Sequence, residues 1–156
     1  MNEAHLHLLL NHVPILGSLA GFVILLVGVL RHNASVTKTG LIMLLVAAAF
    51  ALPTQLTGEG AEELIEHRPT VSHAQIEAHE DAAELAFWML ELTAIPALVA
   101  LMLWQHARAR LLVLLTLGGA ALSFALMAYA GWEGGKINHP ELTEPQTAAE
   151  APQPMP

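Results

Sequence analysis

The sequence predicts an all-α integral membrane protein, a bundle of four transmembrane helices with both termini on the outer side. Three features carry this. Four long apolar stretches, Leu8 to Leu30, Gly40 to Leu56, Leu85 to Trp104 and Leu111 to Trp132, each approach the length that crosses a hydrocarbon core of about 30 Å at about 1.5 Å per residue. The chain has 156 residues, 54% of them hydrophobic, with a mean hydropathy of +0.52. A soluble domain of this length has too little core to hide such stretches. The charges are also segregated. Arg31, Lys38, Arg108 and Arg110 lie in the two short loops that join the first stretch to the second and the third to the fourth. By the positive-inside rule those loops face the cytoplasm, which puts the termini and the long middle loop outside. Fourteen acids and two bases, Arg68 and Lys136, then lie outside for a net −12, and four bases without acids lie inside for +4. An acidic outer face suits a basic soluble partner and speaks against nucleic acid.

Taken in order, the first helix starts near His5 to Asn11. Met1 to His5 lacks the basic segment of a cleavable signal peptide, so this helix is expected to be retained. Pro14 either kinks it or, if Asn11 caps it, falls in a tolerant first turn. At about 100° per residue His5 and His12 differ by about 700° and share a face, whereas His12 and Gly21 differ by about 900°. Gly17, Gly21 and Gly28 therefore form a close-packing stripe opposite the histidines, with His7 leaning to the glycine side. The second helix is expected to end near Pro53 to Leu56, followed by a turn at Thr57-Gly58-Glu59-Gly60 and a short amphipathic helix over Ala61 to Glu66, broken at Arg68-Pro69. Ser72 is placed to cap the next helix, with Gln75 at the capping-box position. That helix runs through His79 toward His106 and carries Pro96, where a kink is expected. The fourth ends at Gly131, before Gly134-Gly135. Residues 1–142 make up the membrane domain. The Pro-, Ala-, Glu- and Gln-rich tail 143–156 is expected to be disordered unless a partner binds it. No convincing internal repeat appears in the sequence, though the pairing of helices one with two and three with four gives a loose two-fold topology.

Seven of the nine histidines, His5, His7, His12, His67, His73, His79 and His139, gather at the outer face, and only His32 and His106 lie inside. His12 and His79 are the leading pair. Imidazoles from two facing helices make a six-coordinate b-type haem site suited to electron transfer, and the same pair serves an alternative transition metal ion. The competing reading is that each is a polar residue at headgroup depth. His5, His7 and His139 are candidates for a second haem or a metal, or for hydrogen bonds to haem propionates, and Lys136 could neutralise a propionate. His67 and His73 have no assigned role. Glu77, Glu84 and Glu91 recur every seven residues. Glu91 lies within the apolar stretch, so Glu84 and Glu91 form a possible proton relay from a quinol, against the plainer reading of a carboxyl hydrogen-bonded across the bundle. The Glu-x-x-His pattern of di-iron bundles is absent. So is cysteine, which excludes disulfides, c-type haem attachment, thiolate zinc and iron–sulfur ligation within this chain. Trp88, Trp104 and Trp132 read as interfacial aromatics.

His7-Leu8-Leu9-Leu10-Asn11-His12-Val13-Pro14, Thr57-Gly58-Glu59 through Glu63, His79-Glu80, and Gly134-Gly135-Lys136 to His139-Pro140-Glu141 resemble the outer-face motifs of a largely uncharacterised family of bacterial four-helix membrane proteins. The resemblance covers residues 5–141. Related membrane domains occur fused to Rieske-type domains, which implies a respiratory setting in the bacterial inner membrane, with the outer face periplasmic. The family implies no particular activity. The expectation is therefore a cytochrome b-like electron-transfer subunit rather than a stand-alone enzyme. It would hold one or two haem b groups near the periplasmic face and exchange electrons with quinone, membrane or periplasmic redox subunits, or a basic cytochrome c. The alternatives are a periplasmic-side metal-binding or transport protein and a structural subunit of a larger redox complex. With 5% aromatic residues, a haem pocket here would be lined chiefly by aliphatic side chains.

Overall fold

The computed structural model describes residues 3–66 and 71–139. The tail 143–156, the boundary at 142, the Arg68-Pro69 break and His67 lie outside the described residues. Among these, every regular element is an α-helix: α1 (Glu3–Leu10), α2 (His12–Leu30), α3 (Ala34–Ile65), α4 (His73–Met102) and α5 (Ala109–Asn138). α1 and α2 run as one segment of 28 residues, and with α3, α4 and α5 they make four spans long and apolar enough to cross a membrane. A helix of 30 residues such as α4 is about 45 Å long, the thickness of a hydrocarbon core with its headgroup layers. The helix ends therefore reach past the apolar core and carry the polar residues there.

The chain makes a ring in which α2 packs on α3, α3 on α4, α4 on α5 and α5 back on α2, with α1 against α3. α2 and α4 occupy one diagonal, and α3 and α5 the other. The interior is built from small side chains: Ala47, Ala48, Ala51, Ala82, Ala86 and Ala130 around Leu90 and Met127, continuing into Ala97, Ala100 and Ala120 around Leu25, Leu41 and Leu44. Large apolar side chains such as Leu16, Leu30, Leu56, Leu92 and Met102 point outward. This arrangement suits lipid, where close backbone approach, rather than exclusion of water, holds helices together. A Cβ on Gly28 would lie 2.5 Å from the Thr37 backbone nitrogen, and one on Gly40 the same distance from that of Leu25.

The two hairpins share one register. On α2 the buried residues are Pro14, Ser18, Gly21, Leu25 and Gly28, and each has a buried counterpart on α4 at a constant offset (14 to 86, 18 to 90, 21 to 93, 25 to 97, 28 to 100). α3 and α5 correspond likewise (37 to 113, 40 to 116, 44 to 120, 47 to 123, 51 to 127). The loose two-fold topology expected from the sequence is thus a residue-by-residue repeat of burial, about an axis along the bundle.

Four local expectations change. α3 continues through Thr57-Gly58-Glu59-Gly60, where a turn was expected. A glycine inside a helix costs about 1 kcal/mol, but here side chains of α1 occupy the space the missing Cβ leaves. His7 packs on Gly58 and the Glu3 carboxyl on Gly60, while the Thr57 hydroxyl donates back to the Pro53 carbonyl at 2.9 Å. α5 likewise passes Gly131 and Gly134-Gly135 to Asn138, and α4 stops at Met102 instead of reaching His106. Asn11 keeps helical backbone angles (φ −60°, ψ −26°), and its side chain does not cap α2. Ser72 is the N-cap of α4, in extended conformation and without a side-chain capping bond.

The turn between α2 and α3 is tight. His32 has φ 51°, its N–H donates to the Val29 carbonyl (3.2 Å), and the Asn33 N–H donates to that of Gly28 (2.9 Å). This Schellman pattern is usually closed by glycine. Asn33 then caps α3 by accepting from the Val36 N–H at 3.1 Å.

Candidate functional site

The feature with chemical content is a pair of histidine rings at the end of the bundle that carries the start of α1. His7 reaches from α1 and His79 from α4, across the diagonal, and their ring centroids are 6.5 Å apart with planes at 82°. His7 Nδ1 lies 3.0 Å from the carbonyl oxygen of Thr54 on α3, and His79 Nδ1 lies 2.9 Å from that of Ala130 on α5. A carbonyl only accepts, so each Nδ1 carries a proton and donates it, which leaves Nε2 as the ring nitrogen not committed to that carbonyl. Fixing one ring nitrogen on a backbone carbonyl is the usual way a metal-binding histidine is oriented through the other.

Both rings are seated in the same manner. The glycine four residues after each acceptor, Gly58 after Thr54 and Gly134 after Ala130, lies beneath the imidazole. A Cβ at Gly58 would meet His7 Cε1 at 3.5 Å, and one at Gly134 would meet His79 Cε1 at 2.9 Å and Nδ1 at 3.0 Å. In an α-helix the N–H of residue i+4 bonds the carbonyl of residue i. A glycine at i+4 therefore clears a path by which a side chain from a neighbouring helix reaches that same carbonyl. The seat occurs once in each half of the repeat, and the two rings meet at its axis.

The structure brings His79 to His7, while His12 points away. His12 is exposed, with Nδ1 bonded to the Leu8 carbonyl of its own segment at 2.9 Å. The reason is geometric. The face that carries Gly21 and Gly28 is the bundle interior, and His7 belongs to it. The face shared by His5 and His12 looks outward, and His5 too is exposed. His139 ends α5, exposed, its N–H donating to the Gly135 carbonyl at 3.1 Å, and His73 begins α4, also exposed. Lys136 Nζ donates to both carboxylate oxygens of Glu133 at 2.7 Å. Glu133 is only 6% exposed and escaped the sequence reading because it sits at the end of an apolar run beside glycines. Its position one residue before the Gly134 seat is the signal that could have found it. Glu84 is exposed and accepts from the Trp88 indole N–H at 3.4 Å. Glu91 is half-buried, with one oxygen, Oε1, shielded and without a hydrogen-bond partner. Asn11, one turn after His7, has a shielded Oδ1 in the same condition.

Among the described residues, two imidazoles meet at this point. Among the described residues no three His, Asp or Glu side chains converge as a metal ion held by protein alone would need. Tetrahedral zinc wants four ligands, or three with a water. A haem iron brings four nitrogens of its own and asks the protein for two. With metal–nitrogen distances of about 2.0 Å on each side, imidazoles flanking one metal have centroids about 6 Å apart, near the separation observed here. Beyond the Gly58 seat, Glu59, Glu66 and Glu80 lie close enough to Glu62 for their charges to act on it, with His73 nearby. No family model, characterised protein or solved structure matches the chain, and the site is read from its own chemistry.

Proposed function

We propose that this multi-pass membrane protein is an electron-transfer subunit that holds one b-type haem between His7 and His79. The observation that carries the reading is the matched anchoring of both Nδ1 atoms on backbone carbonyls, which leaves the two Nε2 atoms as the ring nitrogens available to a metal. A haem with both axial positions filled supplies a one-electron carrier without a site for substrate. The chain's own part is to orient the imidazoles and surround them with helix. The acidic face expected from the sequence would favour docking of a basic electron-transfer protein and raise the rate of encounter at low salt. Quinone or a neighbouring membrane redox subunit would serve as the other electron partner.

The test is a reduced-minus-oxidised spectrum of the detergent-purified chain, with a pyridine haemochrome assay and metal analysis on the same sample. A sharp b-type α-band and one haem per chain are expected. A stoichiometric transition metal without haem would overturn the haem assignment in favour of a metal-binding protein, and the absence of both would leave a structural subunit.

The seats make a graded prediction. Gly134→Ala puts a methyl group 2.9 Å from His79 Cε1 and lifts the ring off the Ala130 carbonyl. Loss of such an orienting bond lowers metal-site affinity by about ten- to a hundredfold. Gly58→Ala meets His7 only at ordinary contact distance, 3.5 Å, and is expected to keep haem. Titration of haem into the two apo-variants distinguishes them, and equal affinities would remove the role given to the glycine seat.

A further inference from the structure

The opposite end of the bundle, where the two short turns lie, has an independent feature. A cleft of about 540 Å³ opens between the turns, lined by His32 from the first and His106 and Arg110 from the second, with Thr37 and Trp104 in its walls. The starts of α3 and α5, at Ala34 and Ala109, also border it, so two helix amino ends bring their positive dipole ends to one opening. Trp104 is held by Lys38, whose Nζ stands 4.8 Å from the ring centroid. No acidic side chain lines the cleft, and the sequence has none between Glu3 and Glu59 or between Glu91 and Glu133. Setting topology requires only lysines and arginines near the ends of the spans. It does not require two histidines and an arginine to border one cleft, nor a histidine held at φ 51° in a position that glycine ordinarily takes.

We propose that this cleft binds a phosphate group, carried by an anionic lipid headgroup or by a soluble phosphate ester. Arg110 supplies a guanidinium fork matched to phosphate oxygens. His32 and His106 donate from either side, and the starts of α3 and α5 add backbone N–H groups. The volume falls within the range of sites for small ligands. The ligand would bridge the two turns and add to the Lys38–Trp104 contact that already joins the two hairpins there.

The test uses the full chain in nanodiscs of phosphatidylcholine with a minor fraction of phosphatidylglycerol, with native mass spectrometry counting the lipids retained. One phosphatidylglycerol per chain is expected. His32→Gln with His106→Gln keeps the lysine and arginine count, and so the topology. It is expected to lower retention about tenfold, as fits loss of two imidazole hydrogen bonds, and adding Arg110→Gln should lower it further. Arg31→Gln with Arg108→Gln removes two cationic side chains that do not line the cleft and should leave retention unchanged. In discs of phosphatidylcholine alone, calorimetric binding of inorganic phosphate that the cleft variant lacks would name a soluble ester as the ligand. Its absence alongside retained lipid would name the headgroup. Equal loss in both variant pairs, or neither lipid retention nor phosphate binding, would overturn the proposal.

Discussion

His7→Ala and His79→Ala are each expected to abolish the low-spin b-type spectrum, while His12→Ala leaves it intact. Each variant removes one of the two imidazoles that would hold the haem, and with it one of the two candidate ligands among the described residues. His12 engages the Leu8 carbonyl on the exposed side of its segment and contributes nothing to the pair. Absorbance and electron paramagnetic resonance of the three variants, purified in parallel, separate these outcomes. A normal low-spin spectrum in both His7→Ala and His79→Ala would sink the haem reading. Loss in His79→Ala and His12→Ala, but not in His7→Ala, would return the site to the pair first expected from the sequence.

The second large effect concerns assembly of the first hairpin. Gly28→Ala and Gly40→Ala each place a methyl group 2.5 Å from a backbone nitrogen of the facing helix. A flexible side chain could swing aside, but backbone cannot, so α2 and α3 must separate along the seam. Each substitution is expected to cost about 3 kcal/mol, the upper part of the usual range for overpacking a core. Gly118→Ala is the control, since a Cβ there meets nothing within 4 Å. Equilibrium unfolding in mixed micelles would show the ordering. Equal stability of Gly28→Ala and Gly118→Ala would mean that the α2–α3 seam is not as tight as described.

The four spans were legible in the sequence because lipid imposes a long, nearly charge-free run on any helix that crosses it, and Leu8–Leu30 or Leu111–Trp132 show such a run without reference to the rest of the fold. The helix ends were not. Gly58, Gly60, Gly134 and Gly135 read as breakers because intrinsic propensity is a local quantity. Their actual use, as gaps filled by His7, Glu3 and His79 from other helices, depends on tertiary contacts that no local window contains. The site was half legible. His79 stood out by its place on α4, but choosing His7 over His12 required knowing which face of the first span looks inward. The glycine stripe was assigned to a face away from the ligands, when in this bundle close packing and the ligand share the interior face. Glu133 and the unpartnered Oδ1 of Asn11 were hidden for the same reason, since burial at a span's end depends on the neighbours.

The constant register between the hairpins also bears on ancestry. A single helical hairpin with one histidine and one glycine seat, paired with an identical copy about a two-fold axis, would already possess both rings and both carbonyl anchors. Joining two copies in one chain frees each half to diverge without losing the centre they share. The divergence is visible at matched positions: Leu19 stands opposite Glu91, Asn11 opposite Ala83 and Thr57 opposite Glu133. The two imidazoles thus descend on this view from one ancestral residue and now have unlike neighbours, so their basicities need no longer be equal. A symmetric dimer could never acquire that inequality by substitution, because every change in one half would be copied in the other.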